Sequence, residues 1–194
     1  MSKVPPPRKP RNIDRRMREH LTPSEVESLI AAAKKHSAYP ERDSTIILVM
    51  YRHGLRVSEL VELTWEQFDF EQGVLHVRRK KRGKDSTHPL STQEIRALRK
   101  LQRQNPTSRE VFVSKQKGPL GDSMIRKMVA KIGQEAGLPF PVHPHMLRHA
   151  TGYKLANDGQ DTRAIQLYLG HQNIQHTVRY TELASDRFKS FFKD

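Results

Sequence analysis

The chain has 194 residues, which is enough for one compact domain with extensions and too few for a large multidomain assembly. It carries 35 Lys and Arg against 21 Asp and Glu, for a formal net charge of +14 at pH 7, so polyanions and above all nucleic acid are the expected partners. The absence of cysteine excludes disulfides, thiolate metal sites and cysteine nucleophiles. The longest apolar run, residues 46–50, is far too short to span a bilayer. We therefore expect a cytoplasmic, nucleoid-associated protein with no membrane partner.

The N-terminal segment, residues 1–20, contains three successive prolines, seven Lys or Arg and almost nothing to bury. This composition favours an extended arm that follows a phosphate track and has no fold of its own. We predict that the arm contacts DNA through Arg8, Lys9, Arg11, Arg15 and Arg16.

Capping signals mark the helices that follow. Thr22, Pro23 and Glu25 form a capping box with proline at the first helical position, and Ser91 with Glu94 forms a second box. Gly54 and Gly170 are placed to end helices in the left-handed conformation. Helices are predicted from residue 23 onward, at about 43–53, 57–63, 92–104, 122–136, 144–157 and 162–169, and from about 175 toward the C-terminus.

Between residues 73 and 90 the helical pattern gives way to a β-branched run, a basic turn and a second short run, which predicts a hairpin with a cationic tip. Residues 111–113 are a candidate third strand. The predicted fold class is therefore mostly α with a small antiparallel β-sheet. The hairpin residues predicted to contact DNA are Arg78, Arg79, Lys80, Arg82 and Lys84.

Three fragments could carry chemistry, although each is weak alone. Arg56 follows a Gly-Leu turn, where an arginine is commonly a solvated charge or a cap. His145 and Arg148 lie three apart, so both can reach one anion from the same helix face. His171 follows Gly170, and Tyr180 comes nine residues later, where the commoner fate of a tyrosine is a core aromatic.

Together these residue types suit attack on a phosphodiester without a metal ion. Guanidinium groups match the nonbridging oxygens that gather negative charge in the transition state. A tyrosine nucleophile exchanges the backbone ester for a phosphotyrosine ester, so the break can be resealed without ATP. The phenol must lose a proton and the departing 5′ oxygen must gain one, and histidine and lysine can act as the general base and general acid for these transfers.

The fragments HGLRVSEL, HMLRHA, LGH and HTVRYT, in this order and at these separations, resemble the catalytic domain of the tyrosine site-specific recombinases of the lambda-integrase class. The resemblance implies that Arg56, His145, Arg148, His171 and the nucleophile Tyr180 form the active site, with a hairpin lysine as general acid. It implies cleavage through a 3′-phosphotyrosine intermediate without metal, ATP or other cofactor.

The lysine is Lys81 if residues are counted back from the Pro-Leu strand end, whereas Lys80 and Lys84 remain alternatives because a shift of register reverses the faces. The implied organisation is a DNA-contacting arm at 1–20, a catalytic domain at 21–184 and a C-terminal segment at 185–194. That segment, with three phenylalanines, either packs on its own core or docks on a neighbouring protomer.

The short chain and the fragments STHPL, HPHMLRHA and DTRAIQLYLGH look like the fimbrial-switch invertases of enteric bacteria. This narrower resemblance implies inversion of a promoter element between short inverted repeats in double-stranded DNA, and hence phase variation of fimbriae. It also implies a homo-tetramer on DNA, a monomer or weak oligomer when free, and DNA-bending accessory proteins.

Other functions compete with this interpretation. An integrase or excisionase of a mobile element, or a tyrosine-type topoisomerase, would use a similar set of residues. A non-catalytic DNA-binding regulator would explain the charge but not the ordered motifs. A metal site at His143, His145 and His149 has one pair at zinc-like spacing, but it lacks the glutamate of HExxH and would place Arg148 beside the metal.

Overall fold

The computed structural model describes residues 19–79 and 83–182, and within them eight α-helices accompany one small sheet. The helices are α1 (Pro23–His36), α2 (Pro40–His53), α3 (Val57–Leu60), α4 (Thr92–Gln104), α5 (Asp122–Glu135), α6 (Pro144–Asn157), α7 (Thr162–Leu169) and α8 (Gln175–Glu182). The strands are β1 (Phe68–Asp69), β2 (Val74–Val77) and β3 (Ser86–Pro89). The predicted fold class, mostly α with a small antiparallel sheet, is confirmed.

Helix α1 begins where the sequence signals predict. The Thr22 hydroxyl accepts from the Glu25 amide at 3.3 Å, and the Glu25 carboxylate accepts from the Thr22 amide at 2.7 Å. Leu21 and Val26 flank this capping box and are both buried, as a hydrophobic staple requires. Two of the orphan amides at the start of α1 are thereby satisfied, and the entry angle of the chain is set.

Helix α2 ends at Gly54, which adopts the left-handed conformation at φ 57°. Only glycine adopts this conformation without steric cost, so the chain can reverse sharply into α3. Helix α3 is shorter than predicted, because the chain leaves it after Leu60. The Leu63 carbonyl then accepts from the Val111 amide at 3.0 Å.

The sheet has the order β1-β2-β3 and is antiparallel throughout. Leu75 of β2 stands opposite Phe68 of β1 and His88 of β3. The predicted hairpin is confirmed in its two strands, and β1 joins it as a third strand that the sequence pattern did not indicate. The strand predicted at residues 111–113 is wrong, since the contacts there are isolated bridges from Thr64 to Glu110 and from Val113 to Pro119.

The core lies around α2, which packs against α1, α4 and α6 and is buried along most of its length. A second and smaller cluster of buried side chains, here called the tyrosine cluster, joins α6, α7 and α8. Its members are Tyr153, Ala156, Ile165, Leu169 and Tyr180. The predicted nucleophile is therefore a core residue of this cluster.

Several sequence predictions fall outside the described residues: the arm with Arg8, Lys9, Arg11, Arg15 and Arg16, the hairpin residues Lys80, Lys81 and Arg82, and the C-terminal segment 185–194. Within residues 19–79 and 83–182, no helix is both long enough and apolar enough to cross a membrane.

Candidate active site

Arg148 joins the ends of two helices to α6. Its guanidinium donates to the carbonyl of Gly54, just after α2, and to the carbonyl of Leu169, at the end of α7, at 2.6 Å. Because Gly54 is left-handed, its carbonyl points out of the helix end and is free to accept. Arg148 is only 4% exposed, so the fold fixes the position of its guanidinium.

Glu59 on α3 brings three arginines together. Its carboxylate lies 2.6 Å from the Arg56 guanidinium, 2.8 Å from that of Arg79 and 4.0 Å from that of Arg148. The carboxylate also accepts from the Arg56 backbone amide at 2.9 Å, which closes a capping box at the start of α3. These four side chains are called the arginine cluster below.

The arginine cluster carries more positive than negative charge. Burial favours a neutral Glu59, but the nearby charges of Arg79 and Arg148 and the Arg56 amide outweigh it and lower the Glu59 pKa. Burial, together with the charges of Arg56 and Arg79, lowers the pKa of Arg148 to about 9, so it stays protonated at neutral pH. Three guanidiniums then face one carboxylate, and the net charge of +2 favours an anion beside them.

Arg79 corrects one prediction. It was expected to contact DNA from the hairpin, but its side chain is 0% exposed and pairs with Glu59, while its guanidinium donates to the carbonyls of His53 and Tyr168. The alternation of β2 explains the difference, because Leu75 and Val77 face the core and Arg79 continues that face. Because the Arg79 side chain is buried and both of its terminal nitrogens have protein partners, we expect it to support the site from behind and not to contact a phosphate.

Arg56 and His145 line one cleft of about 290 Å³, between α3 and the start of α6. Arg56 is partly exposed there, and His145 is exposed in the first turn of α6. Arg126 of α5 also lines this cleft. His145 and Arg148, predicted to share one helix face, thus differ in exposure: His145 is exposed in the cleft and Arg148 is buried.

His171 lines a second cleft, and Lys84 of the hairpin also lines it. Its Nδ1 atom lies 2.8 Å from the hydroxyl of the buried Thr177, which fixes the orientation of the ring. Burial and the charges of Arg148 and Arg56 lower the His171 pKa to about 3, so the ring is neutral at pH 7. Of the three candidate general acids, Lys84 is exposed and lines this cleft, whereas Lys80 and Lys81 lie outside the described residues.

Tyr180 of α8 is buried and only 1% exposed. Its hydroxyl lies 2.8 Å from Nδ1 of His149, and its ring lies 6.2 Å from the His171 ring and 5.0 Å from that of Tyr153. Burial raises the pKa of Tyr180 to about 12, with partial relief from the charge of Arg148. The phenol is therefore protonated at rest and needs a proton acceptor to become a nucleophile.

The metal interpretation gains no support from the geometry. Among residues 19–79 and 83–182, no group of three or more His, Cys, Asp or Glu side chains is arranged to hold a metal ion. His149 instead meets Tyr180, and His143 is the residue that precedes α6.

Sequence reasoning missed two members of the site. Glu59 stands three residues after Arg56 in HGLRVSEL, the spacing of a capping box, and that signal could have placed it against the Arg56 backbone. Burial of Arg79 could have been inferred from the alternation through Leu75 and Val77. Arg78 and Lys84, by contrast, are exposed on the hairpin and remain candidates for DNA contact.

Comparison with known proteins identifies the family of the chain. The phage integrase family matches residues 19–187. FimE of Escherichia coli strain K12, a type 1 fimbriae regulatory protein, is 38% identical over 182 residues, which are 91% of each chain. FimB of the same strain, also a type 1 fimbriae regulatory protein, is 39% identical over 90% of each chain. The tyrosine recombinase XerD of Ralstonia nicotianae is 34% identical over 95% of this chain and 60% of its own.

Solved structures show the same fold. The crystal structure of XerA recombinase superposes with a TM-score of 0.78 at 28% identity, over 91% of this chain and 64% of XerA. XerH recombinase bound to a palindromic difH substrate superposes with a TM-score of 0.77 at 23% identity, over 94% of this chain and 54% of XerH. The chain thus spans less than two thirds of the Xer proteins but nearly the whole length of the Fim proteins. It belongs to the phage integrase family, whose members include the tyrosine recombinases.

Proposed function

We propose that the chain is a site-specific DNA recombinase that cleaves and rejoins strands through a 3′-phosphotyrosine bond at Tyr180. The observation that carries the proposal is the arginine cluster, an anion site with an excess of two positive charges whose Arg148 also influences the Tyr180 phenol. A scissile phosphate supplies the missing negative charge.

In the proposed reaction, Arg56 and Arg148 bind the nonbridging oxygens of the phosphate. Arg56 reaches the phosphate from the open cleft, with His145 beside it, and Arg148 acts from the buried side. Their interactions strengthen as negative charge grows on these oxygens, so they stabilise the transition state more than the bound substrate. Glu59 and Arg79 hold this arrangement in place without touching the DNA.

The Tyr180 oxygen then forms a bond to phosphorus while the bond from phosphorus to the 5′ oxygen breaks. We assign Lys81 as the acid that protonates the leaving 5′ oxygen, with Lys80 and Lys84 as the alternatives. We assign His171, which is neutral and oriented by Thr177, as a hydrogen-bond donor to the phosphate. Attack of a 5′ hydroxyl on the phosphotyrosine reverses these steps and reseals the strand without ATP.

The biological outcome we propose is inversion of a promoter element between inverted repeats, and so phase variation of fimbriae. The similarity to FimE and FimB over nine tenths of each chain supports this, because both are fimbriae regulatory proteins. The proposal includes a homo-tetramer on double-stranded DNA, a monomer or weak oligomer off DNA, DNA-bending accessory proteins and a nucleoid location. It also includes the domain division 1–20, 21–184 and 185–194, with DNA contacts from the arm and from the exposed Arg78 and Lys84.

Covalent capture on DNA tests the chemistry. A pool of nicked duplexes with randomised inverted repeats is incubated with the protein, and adducts that survive denaturation are sequenced to give a captured half-site. We expect the wild type to form adducts with and without EDTA, and Tyr180→Phe to bind the captured half-site without forming one. An adduct with Tyr180→Phe would move the nucleophile elsewhere, and binding without any wild-type adduct would indicate a non-catalytic regulator.

The biological outcome has its own test. Two captured sites are placed on a plasmid either as inverted or as direct repeats, and the products are mapped by sequencing. Inversion between inverted repeats in preference to excision between direct repeats is expected of a switch, and preferential excision would favour an integrase or excisionase.

A further inference from the structure

The hydroxyl of Tyr180 has a hydrogen-bond partner that the motifs above do not include. Nδ1 of His149 lies 2.8 Å from the phenolic oxygen, within the 2.6–3.2 Å range in which a side chain can take a proton directly. His149 is the residue after Arg148, and its side chain lies on the α6 face shared with His145, one helical turn away. The contact therefore joins the predicted nucleophile to the helix that carries the phosphate-binding arginine.

Helix α6 is shaped to hold the Tyr180 ring at this point. Gly152, three residues after His149, has no side chain, and a Cβ atom built there would lie 2.6 Å from the tyrosine ring. Tyr153 packs edge-on against the same ring at 5.0 Å. The ring lies directly on the backbone of α6, and this close packing directs the hydroxyl at His149.

The neighbouring histidine is less suited to the same task. The Nδ1 atom of His171 already meets the Thr177 hydroxyl, and its ring is stacked beside the Tyr180 ring at 6.2 Å between centroids. His145 is exposed in the cleft that Arg56 lines, and its ring centroid is 6.3 Å from that of His149. Of these three histidines, His149 is the one with a hydrogen bond to the phenol.

Charge keeps His149 available as an acceptor. Burial lowers its pKa to about 4, and the positive surroundings add to the effect, so the ring is neutral at pH 7. The charged or titratable groups that lower the His149 pKa are His145 and Arg148 of α6, His143 just before α6, and His20 before α1. Tyr180 faces His149 from α8. We assign the tautomer in which the neutral ring carries its proton on Nε2, so that Nδ1 accepts the hydrogen bond from the phenol.

We propose that His149 holds the Tyr180 hydroxyl in place and accepts its proton as the phenolic oxygen attacks phosphorus. This inference rests on the proposed function. As the oxygen-phosphorus bond forms, the phenol proton passes to Nδ1, the bond to the 5′ oxygen breaks, and the hairpin lysine gives its proton to that oxygen. Religation runs in reverse, so that His149 returns its proton to Tyr180 and the lysine recovers its own.

The pKa values of Tyr180 and His149 determine when the proton can be transferred. A phenol with pKa about 12 does not transfer its proton to an imidazole with pKa about 4 in the resting enzyme. Transfer becomes favourable only as the phenolic oxygen becomes an ester oxygen, and the phosphate charge brought by DNA stabilises the imidazolium. The nucleophile is therefore inactive without DNA, and its proton acceptor is already in contact.

Two substitutions separate proton acceptance from positioning. His149→Ala removes the acceptor, whereas His149→Asn keeps a hydrogen-bonding amide close to the position of Nδ1 but is not basic. Single-turnover cleavage is measured on the captured nicked half-site, with half-site binding and thermal unfolding measured in parallel. His36→Asn is the matched control, because His36 is exposed at the end of α1, where it pairs with Glu135.

We expect both His149 variants to bind DNA normally and to cleave roughly 100-fold or more slowly than the wild type, as is typical when a general base is lost. Wild-type cleavage by His149→Asn would overturn proton acceptance. If His149→Ala proves unstable, the similar size and shape of Asn let His149→Asn decide alone.

A second substrate tests the direction of proton transfer. When sulfur replaces the bridging 5′ oxygen, the leaving group departs without an acid, so the defect of a general-acid variant such as Lys81→Ala is repaired. The His149 defect should persist on this substrate, and its repair would assign His149 to the leaving group and overturn the inference. If the wild type forms no adduct, the proposed function itself fails. If Tyr180-dependent adducts form at wild-type rate without His149, only this inference fails.

Discussion

The arginine cluster and the tyrosine cluster meet at one site but are held in different ways. In the arginine cluster, Arg148 bridges backbone carbonyls from two helix ends, and Glu59 and Arg79 are buried behind Arg56. Arg148, Glu59 and Arg79 are all buried. This half of the site cannot change without disturbing the packing of α2, α3 and α6.

The tyrosine cluster depends on fewer and more local contacts. Helix α8 has eight residues, shorter than the ~12–15 needed for a helix to be even marginally stable alone, so packing on α6 and α7 holds it. Its polar contacts include the Tyr180 hydroxyl on His149 and a 3.0 Å bond from Thr181 to Thr162. From this difference we expect the arginine cluster to depend on the fold as a whole, and Tyr180, the proposed nucleophile, to be displaceable without unfolding of the domain.

The largest expected effect comes from comparing Arg148→Ala with Arg56→Ala. Each should slow single-turnover cleavage by roughly 100-fold or more, because each removes a donor to the developing charge. Only Arg148→Ala should also lower the free energy of unfolding, by about 3 kcal/mol or more, because it leaves the Gly54 and Leu169 carbonyls and a buried carboxylate short of partners.

Urea unfolding of the two variants at pH 7 measures the difference in stability. Arg148→Lys is the control for charge, since it keeps a cation but cannot reach two carbonyls with one planar group. Equal stability losses for Arg56→Ala and Arg148→Ala would contradict the view that the partly exposed Arg56 is an outer member of the cluster.

The second prediction displaces the nucleophile and leaves the arginines alone. Gly152→Ala places a Cβ atom against the Tyr180 ring, so the ring must move by about an ångström. We expect cleavage to fall by roughly 100-fold, since misplacement on this scale is enough to disrupt attack, with a stability loss of about 1–3 kcal/mol. Half-site binding should remain at the wild-type level.

Gly118→Ala is the matched control, because the nearest atom to its added Cβ would be 3.9 Å away, an ordinary contact. Cleavage by Gly152→Ala at the wild-type rate would mean that Tyr180 leaves α6 before it attacks. The observed packing would then have no bearing on the reaction.

Local sequence signals account for much of the fold. The capping boxes at Thr22 and Ser91 and the left-handed Gly54 and Gly170 appear where predicted, because these signals depend on residues within one helical turn. The strand predicted at residues 111–113 failed because a short apolar run does not reveal whether a partner strand is available. Strand β1, of two residues, is too short to show alternation.

For the candidate site, too, local motifs could be recognised in the sequence, whereas contacts between distant elements could not. The candidate residues of the proposed site could be selected from the sequence because they stand in short motifs: Arg56, His145, Arg148, His171 and Tyr180. The contacts between elements could not be inferred from the sequence, including the ion pair of Arg79 with Glu59 and the bond from His149 to Tyr180. These contacts join residues 20 and 31 positions apart, and local periodicity carries no information about such pairs.

The third and smallest prediction concerns acid and the buried histidines behind the arginine cluster. His88 of β3 is fully buried, with Nδ1 3.2 Å from that of His53 and Nε2 2.8 Å from the Ser86 hydroxyl. The carbonyl of His53 accepts from Arg79, so this pair supports the cluster from the core side. Burial, with the charges of His53 and Arg79, lowers the pKa of His88 to about 2.

A histidine whose folded pKa lies below its unfolded value of 6.5 stabilises the protein fully above pH 6.5, and its contribution falls as the pH drops toward the folded pKa. Between pH 6 and 5 we expect protonation of His88 alone to cost about 1.2 kcal/mol of unfolding free energy. Urea unfolding of the wild type and of His88→Phe, which keeps a ring to stack on Tyr168, is compared at pH 7, 6 and 5. The variant should be less stable at pH 7 and lose stability more slowly on acidification, whereas parallel pH dependences would show that His88 binds a proton in the folded protein.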